Sequence, residues 1–435
     1  MDLGGYVYRM SDPPVSSRAA YYSLAVLFTI NLFNFIDRQI IFGVFPLVGD
    51  ELALSDTQLG TLGSAFMILY MLASIPLGIL GDRVRRTRVI AVGVAIWGAA
   101  TFLSGLARSY PQLFAARALV GIGEAAYGPI ATAMVSDYFA KSRRAFVNAL
   151  FTSAIPLGAA LGVLLGGTVG THFGWRNAFF LVGLPSLCLV PLAWRLPDPS
   201  RGASDLAFVG DGPGAILRPT GSIGKEILGL FKTPTFVLVC VVGMVIAFAT
   251  GAFAAWLPTY LHRVKRIPLA RAAVWYGGIQ ALGGVLGVVV GGLVGDALMR
   301  QTRAGHLLTI AGGFLLSAPL GLLFLLHGNR RVFLGALFFA VFFLVLHTGI
   351  VNAVIHNVVH PSLRATAISI FVFLIHLGGD AFSPAIVGLI SDRASLQGAM
   401  LILPVMVFSA GLLALAASGV VVGDMRRLEG RLAEV

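Results

Sequence analysis

Charge is what this chain most lacks. Only 11% of its 435 residues are Asp, Glu, Lys or Arg, less than half the roughly 25% of a soluble globular domain. With 57% hydrophobic residues, so much apolar surface cannot be hidden in one or two soluble cores. The composition excludes a soluble enzyme, a nucleic-acid-binding domain and a disordered protein. Cysteine is almost absent too. Cys188 and Cys240 both lie inside apolar runs, which leaves no disulfide framework and no cysteine-based metal site. His356 and His360 are four apart, but no acidic ligand or H-E-x-x-H pattern joins them and Pro361 ends their helix. Neither a metal nor a cofactor is expected. A lipid-modifying enzyme would need a nucleophile elbow, a zinc pattern or a phosphate-cradling loop, and a channel would need a re-entrant filter or charged rings; neither set is found where it would matter.

What is present is a series of apolar runs: 20–48, 57–80, 89–107, 111–136, 145–170 and 177–195, then 235–261, 272–298, 305–327, 331–357, 365–390 and 398–422. A membrane-crossing helix needs about 20 apolar residues, so these read as six spans, a gap and six more. The gap, 196–234, is polar and rich in Gly and Pro and reads as a linker between bundles 20–195 and 235–423. Short tails 1–19 and 424–435 flank them. The first run is too long for a signal-peptide core and carries Asp37-Arg38 in its middle, so it reads as a retained span. The net charge of +12 is mostly topogenic rather than nucleic-acid-binding. Bases gather on the side of the termini, at Arg83–Arg88, at Lys141–Arg144 and along the linker, while the first opposite loop holds Asp50, Glu51 and Asp56 without a base. This positive-inside pattern predicts cytoplasmic termini in a multi-pass cell-membrane protein. Arg263, Lys265, Arg266 and Arg271 are the exception, on the outer side.

Three landmarks recur. Gly81-Asp82 returns as Gly295-Asp296, Arg144-Ala145 as Arg364-Ala365, and Arg176 as Arg393, separated by 214, 220 and 217 positions. A six-plus-six duplication predicts a substrate path between the halves near the bilayer midplane. Gly158, Gly162 and Gly166 repeat every four residues in the fifth run, a smooth stripe for tight helix packing.

Gly78-Ile-Leu-Gly81-Asp82-Arg83-Val-Arg85-Arg86-Thr-Arg88 after the second run resembles the loop signature of the major facilitator superfamily. Arg117-Ala-Leu-Val-Gly121-Ile-Gly123-Glu124-Ala125 resembles that superfamily's RxxxGxG signature. The likeness narrows to the spinster family through three motifs. These are Asn34-Phe-Ile-Asp37-Arg38, the Arg117–Ala125 segment with its Gly-Glu-Ala, and His376-Leu-Gly-Gly-Asp380-Ala-Phe-Ser-Pro384. The resemblance implies an all-α membrane protein whose twelve transmembrane helices form two pseudo-symmetric six-helix bundles. It also implies a secondary transporter, coupled to protons, of lysophospholipid-like or sphingosine-phosphate-like amphiphiles, working as a monomer without a cofactor. A transporter of a small polar anion or drug is the alternative.

The charges within the runs point the same way. A charged group inside the bilayer costs ~2.5–3.5 kcal/mol on insertion scales and so marks function. The first half holds Asp37, Arg38, Arg117 and Glu124 in spans one and four. The expected roles are Asp37 as proton site and Arg38 as headgroup cation. Glu124 is expected as alternate partner of Arg38 or second proton site, and Arg117 as structural or headgroup cation. The competing reading is a fixed cluster that only ties two spans together. Spans seven and ten of the second half, which line the cavity in the superfamily, offer no buried Asp, Glu, Lys or Arg but do carry Trp256, His347, Asn352 and His356. One charged and one apolar wall suit an ionic head with an alkyl tail. Asn34, Trp256, Asn352 and His356 join the expected substrate contacts. Asp82, Arg83 and Arg86 are expected to form a gating latch, and His376 and Asp380, an i, i+4 pair, to serve gating or simple hydrogen-bond satisfaction.

Overall fold

A computed structural model describes residues 16–139, 141–199 and 223–433. Among the described residues there is no strand, and twelve helices are long and apolar enough to cross a membrane. Spans one to six are Ser17–Leu52, Asp56–Gly81, Arg86–Leu106, Tyr110–Tyr138, Phe146–Phe173 and Trp175–Trp194. Spans seven to twelve are Pro234–Arg263, Leu269–Met299, Gly305–Leu326, Arg330–Val358, Thr366–Arg393 and Leu396–Gly430. An even number of spans puts both ends of the chain on one face, called here the near face. Each span falls within a few residues of its expected apolar run, because a bilayer leaves the backbone no partner but its own helix.

The described parts of the tails and the gap, 16–19, 196–199, 223–234 and 424–433, carry more structure than their composition suggests. The first helix begins at Ser17, where the Ser16 hydroxyl accepts from Ala19 N–H. The last runs on to Ala433, carried past its apolar stretch by good helix formers such as Met425, Leu428 and Glu429. In the gap, Leu196–Pro199 folds back onto the first bundle and Ile223–Leu230 forms a short helix; 200–222 lies outside the described residues.

The glycine stripe does what its spacing predicts. A Cβ on Gly162 would come within 2.5 Å of the Ile36 carbonyl, and one on Gly166 within 2.5 Å of the Ile40 carbonyl. Bare backbone lets span five lie directly on span one. This contact fixes the orientation of span one, and with it the direction in which Asp37 and Arg38 point.

Four spans are interrupted in pairs that the duplication relates. Span four breaks at Ala126–Tyr127 between half-helices Tyr110–Ala125 and Gly128–Tyr138, where Pro129 withholds an N–H. Span ten loosens over Val345–Ile350 between Arg330–Leu344 and Val351–Val358. Span five is interrupted at Ser153, and span eleven widens into a π-helical turn at His376–Asp380. Such breaks commonly lie at functional sites.

The halves are sealed at the far face. The Asp56 carboxylate takes Arg263 Nη1 at 2.6 Å on one oxygen and the Ser391 hydroxyl at 2.6 Å on the other. Asp392 accepts from the backbone N–H groups of Asp56 and Thr57, both at 2.8 Å, and so caps span two from the opposite bundle. Phe45 and Trp256 meet across the seam with ring centroids 5.4 Å apart. The basic exception among the outer loops therefore has a structural cause. Arg263 is the latch cation, and Lys265 Nζ donates to the Leu325 and His327 carbonyls, closing the end of span nine. Burial pushes the Lys265 ammonium below the usual lysine range. Ion pairs of the near face, such as Arg86–Asp137 and Arg303–Glu429, instead join elements of one half.

Backbone contact makes the seal intolerant of side chains. A Cβ on Gly60 would sit 2.2 Å from the Pro384 carbonyl oxygen, and one on Gly388 the same distance from that of Asp56. Gly388→Val is expected to hold the far face apart. Spin labels placed across that face on spans two and eleven should report a longer, broader distance distribution than in the unsubstituted protein. An unchanged distribution would show that the seam yields elsewhere.

Candidate functional site

The four membrane-embedded charges of the first half sort into two pairs of different character. Asp37 and Arg117 form the closed one. Arg117 Nη1 meets Asp37 Oδ1 at 2.8 Å, and its Nη2 reaches the Asp37 backbone carbonyl at 3.3 Å. Asp37 Oδ2 accepts from the Thr101 hydroxyl. Both carboxylate oxygens are occupied, and neither residue is more than 1% exposed. The pair ties spans one, three and four together.

Arg38 and Glu124 form the open pair. Arg38 Nε lies 2.6 Å from Glu124 Oε2, and the Arg38 side chain is 15% exposed while Glu124 is sealed. Glu124 Oε1 is buried without a hydrogen-bond partner. Three aromatic rings surround the guanidinium: Tyr70 at 4.5 Å, Phe35 at 4.8 Å and Phe66 at 5.2 Å from centroid to Cζ. Contacts of this kind contribute roughly 0.5–2 kcal/mol each. They hold the cation in place without neutralising it, so its charge stays available to an anion. Other polar atoms nearby in sequence are also unmet, namely Arg117 Nε, Asn34 Nδ2 and the Ser64 hydroxyl, all buried. Buried polar groups in a finished core are nearly always satisfied; this cluster has hydrogen-bonding capacity in reserve.

Consecutive residues thus diverge because adjacent helix positions point about 100° apart. Asp37 faces inward to spans three and four. Arg38 turns towards span two and the space between the bundles. Glu124 follows Arg117 by two turns on the same face, so one span supplies a partner for each member of the Asp37-Arg38 dipeptide.

The second half contributes a cavity of about 360 Å³ between spans seven, nine, ten and eleven. Its walls are mainly apolar, including Val242, Ile246, Phe314, Phe371 and Ile375, with Thr250, His347, Asn352 and Asp380 as polar points. His347 packs on Phe314 and sits at the break in span ten. Asp380 receives His376 Nδ1 at 2.9 Å in the π-helical turn, so the widened turn places a hydrogen-bonded carboxylate at the cavity edge.

Not every expected contact reaches this space. Trp256 is fully buried, and its indole N–H donates to the Pro384 carbonyl at 2.9 Å. It belongs to the far-face seam, so a substrate-lining role is corrected to a sealing one in this conformation. His356 is exposed, outside the walls of the 360 Å³ cavity, whereas Asn352 is among them. At the near face Arg86 is buried and binds Asp137 at 2.6 Å and Asp198 at 2.8 Å, while Arg83 is exposed. The Asp82 side chain lies outside the described residues. The Arg86 network pins the start of the linker to spans three and four, within one half, so no latch between halves is formed by it here. Among the described residues no group of His, Cys, Asp and Glu could hold a metal ion.

Sequence reasoning missed Thr101, Tyr70 and Phe66 around the charges, and Asp56, Arg263 and Asp392 at the seal. Phe66 and Tyr70 are four apart on one helix face, a pattern indistinguishable from ordinary packing. Arg263 did leave a trace, as the break in the positive-inside pattern.

Comparison with known proteins agrees with this architecture. Residues 27–379 match the Major Facilitator Superfamily. Protein spinster homolog 3 of Danio rerio is 34% identical over 88% of this chain and 78% of its own length. The sphingosine-1-phosphate transporter SPNS2 of Danio rerio is 31% identical over 83% of this chain and 74% of its own. Among solved structures, an inward-facing, unoccupied bacterial homolog of the human lysosomal transporter spinster superposes with a TM-score of 0.83 at 23% identity, over 94% of this chain and 99% of that one. The chain is a multi-pass transporter rather than an enzyme, and it belongs to the spinster family of the major facilitator superfamily.

Proposed function

We propose that the protein is a proton-coupled carrier of an amphiphilic organic anion, with Arg38 taking the anionic head, Glu124 the proton, and the cavity of the second half the alkyl tail. The observation that carries this reading is the open Arg38–Glu124 pair. Glu124 ionised competes with a substrate for Arg38. Glu124 protonated on its unpaired Oε1 releases the guanidinium, and an anion then replaces the carboxylate. Proton and anion therefore favour each other's binding, which is the linkage that symport requires. Asp37, the residue expected at first to carry the proton, is better suited to holding Arg117 and span three in register, since both its oxygens already have donors.

The asymmetry of the two walls supports an amphiphile. A cavity of about 360 Å³ lies within the 300–1,000 Å³ range of small-molecule sites, and its apolar lining offers a small polar anion little beyond the charge of Arg38. SPNS2, a relative, is named for sphingosine-1-phosphate, a molecule of this shape. With the termini cytoplasmic, as the distribution of bases favours, the far-face seal fits an inward-facing state of an alternating-access cycle.

Two experiments test the reading. In proteoliposomes, Glu124→Gln is expected to abolish uptake driven by a pH gradient while sparing exchange of substrate between the two sides. Its apparent substrate affinity should also lose its decline with rising pH. Asp37→Asn should instead destabilise the fold, because leaving Arg117 buried and unpaired costs about 3–5 kcal/mol. The coupling site returns to Asp37 if Asp37→Asn remains folded yet uncoupled and Glu124→Gln stays coupled.

Ala247→Trp fills the second-half cavity from span seven. It is expected to weaken competition by a long-chain lysophospholipid about tenfold or more and leave competition by a short-chain phosphate ester nearly unchanged, one buried methylene being worth about 0.8 kcal/mol. Equal loss for both would favour a small polar anion as substrate.

A further inference from the structure

A second cavity, of about 330 Å³, opens at the near face of the second half. It lies well away from Arg38, between the linker, the inner end of span ten and the extension of span twelve. Leu230, Val358, Val359, Leu363 and Leu428 form its apolar walls, and Lys232, His360, Arg427 and Asp424 its polar rim. Asp424 is buried and already engaged. Its Oδ2 accepts from the Thr235 backbone N–H at 2.9 Å and from the Thr235 hydroxyl at 2.7 Å, and its Oδ1 lies 3.5 Å from Arg427 Nη1. That carboxylate holds the start of span seven and steadies Arg427 at the rim. Lys232 and Arg427 remain exposed at the mouth, two cations against one buried anion that already has donors.

The surroundings say what kind of molecule brings the counter-charge. The short helix Ile223–Leu230 and the residues after it present Leu228 and Phe231 to the exterior, 63% and 45% exposed. Both stand close to Lys232 in the chain, just before span seven begins at Pro234. Bare Leu and Phe next to a cation mark the boundary between hydrocarbon and headgroups. We infer that this cavity binds a phosphate group carried by a lipid of the near-face leaflet, with Lys232 and Arg427 on the phosphate oxygens and the acyl chain along Leu228 and Phe231. Such a lipid would pin the linker helix to spans ten and twelve. The inference is independent of the transport site.

Thermal unfolding of the full-length protein in dodecyl maltoside micelles, which supply no phosphate of their own, tests it. Added dioctanoyl phosphatidate is expected to raise Tm by several degrees, in the unsubstituted protein and in an Arg38→Gln background that silences the transport site. The double variant K232Q/R427Q, altered only at exposed side chains, should need about tenfold more phosphatidate for the same shift. R426Q, which removes a neighbouring exposed cation outside the cavity, should behave as the parent. Dioctanoylglycerol, which lacks the phosphate, should give no shift. Inorganic phosphate is expected to give none either; a shift with it that K232Q/R427Q abolishes would keep the phosphate site and overturn its lipid source. Absence of any phosphatidate effect, or equal effects in K232Q/R427Q and the parent, overturns the site.

Discussion

An ionised side chain inside a bilayer must find a partner, and in this protein that requirement organises the first half. Asp37 and Arg117 are sealed from solvent at 2.8 Å, and their mutual neutralisation lets these two charges bridge spans one and four. Thr101 completes the carboxylate and brings in span three. With one pair closed, the register of spans one and four is set, and the second pair follows from it. Arg38 must then lie beside Glu124, because each stands at a fixed helical offset from a member of the first pair. The structural pair is thus what makes the other available for chemistry. Its net contribution to stability is small, since desolvation offsets much of the Coulomb gain, but its contribution to register is large.

The open pair differs in what surrounds it. Phe35, Phe66 and Tyr70 stabilise the guanidinium through their ring faces and leave its positive charge in place. A cation held this way does not need its carboxylate at every step of a cycle. The carboxylate is less comfortable without the cation, having a second oxygen with no donor. This difference between the two partners is what the proposed coupling draws on.

How much of this was legible beforehand follows from which interactions are local. All twelve spans could be read from apolar runs, because the bilayer turns span formation into a property of about 20 consecutive residues. The glycine stripe of span five was legible for the same reason, as was the identity of the four buried charges. Their pairing was legible only in part: Glu124 was expected as an alternate partner of Arg38, whereas the Asp37–Arg117 pair was not foreseen. Whether Asp37 or Glu124 faces Arg38 depends on helix rotation, which spans five and three determine through contacts far apart in sequence. The far-face latch was hidden likewise: Asp56 and Asp392 are 336 positions apart in the chain. The extension of the last helix to Ala433 was missed because apolarity ended while helix propensity did not.

The duplication kept the hinges and discarded the charges. Spans four and ten are both interrupted near their middles, as are five and eleven, yet the second half retains no counterpart of the Asp37–Arg117 and Arg38–Glu124 pairs among the described residues. It places an apolar cavity there instead. This division matters for coupling. A ligand shifts a conformational equilibrium only by its difference in affinity for the two states, and one that touched a single rigid half would bind both states alike. A molecule whose head is held by Arg38 and whose tail lies in the opposite bundle touches both halves. Its binding energy therefore depends on their relative position, as movement of the halves requires. No Lys or Arg lines that cavity to rival Arg38 for an anionic head, and its one carboxylate, Asp380, is already engaged by His376, so under the proposed binding mode the two bundles share one molecule.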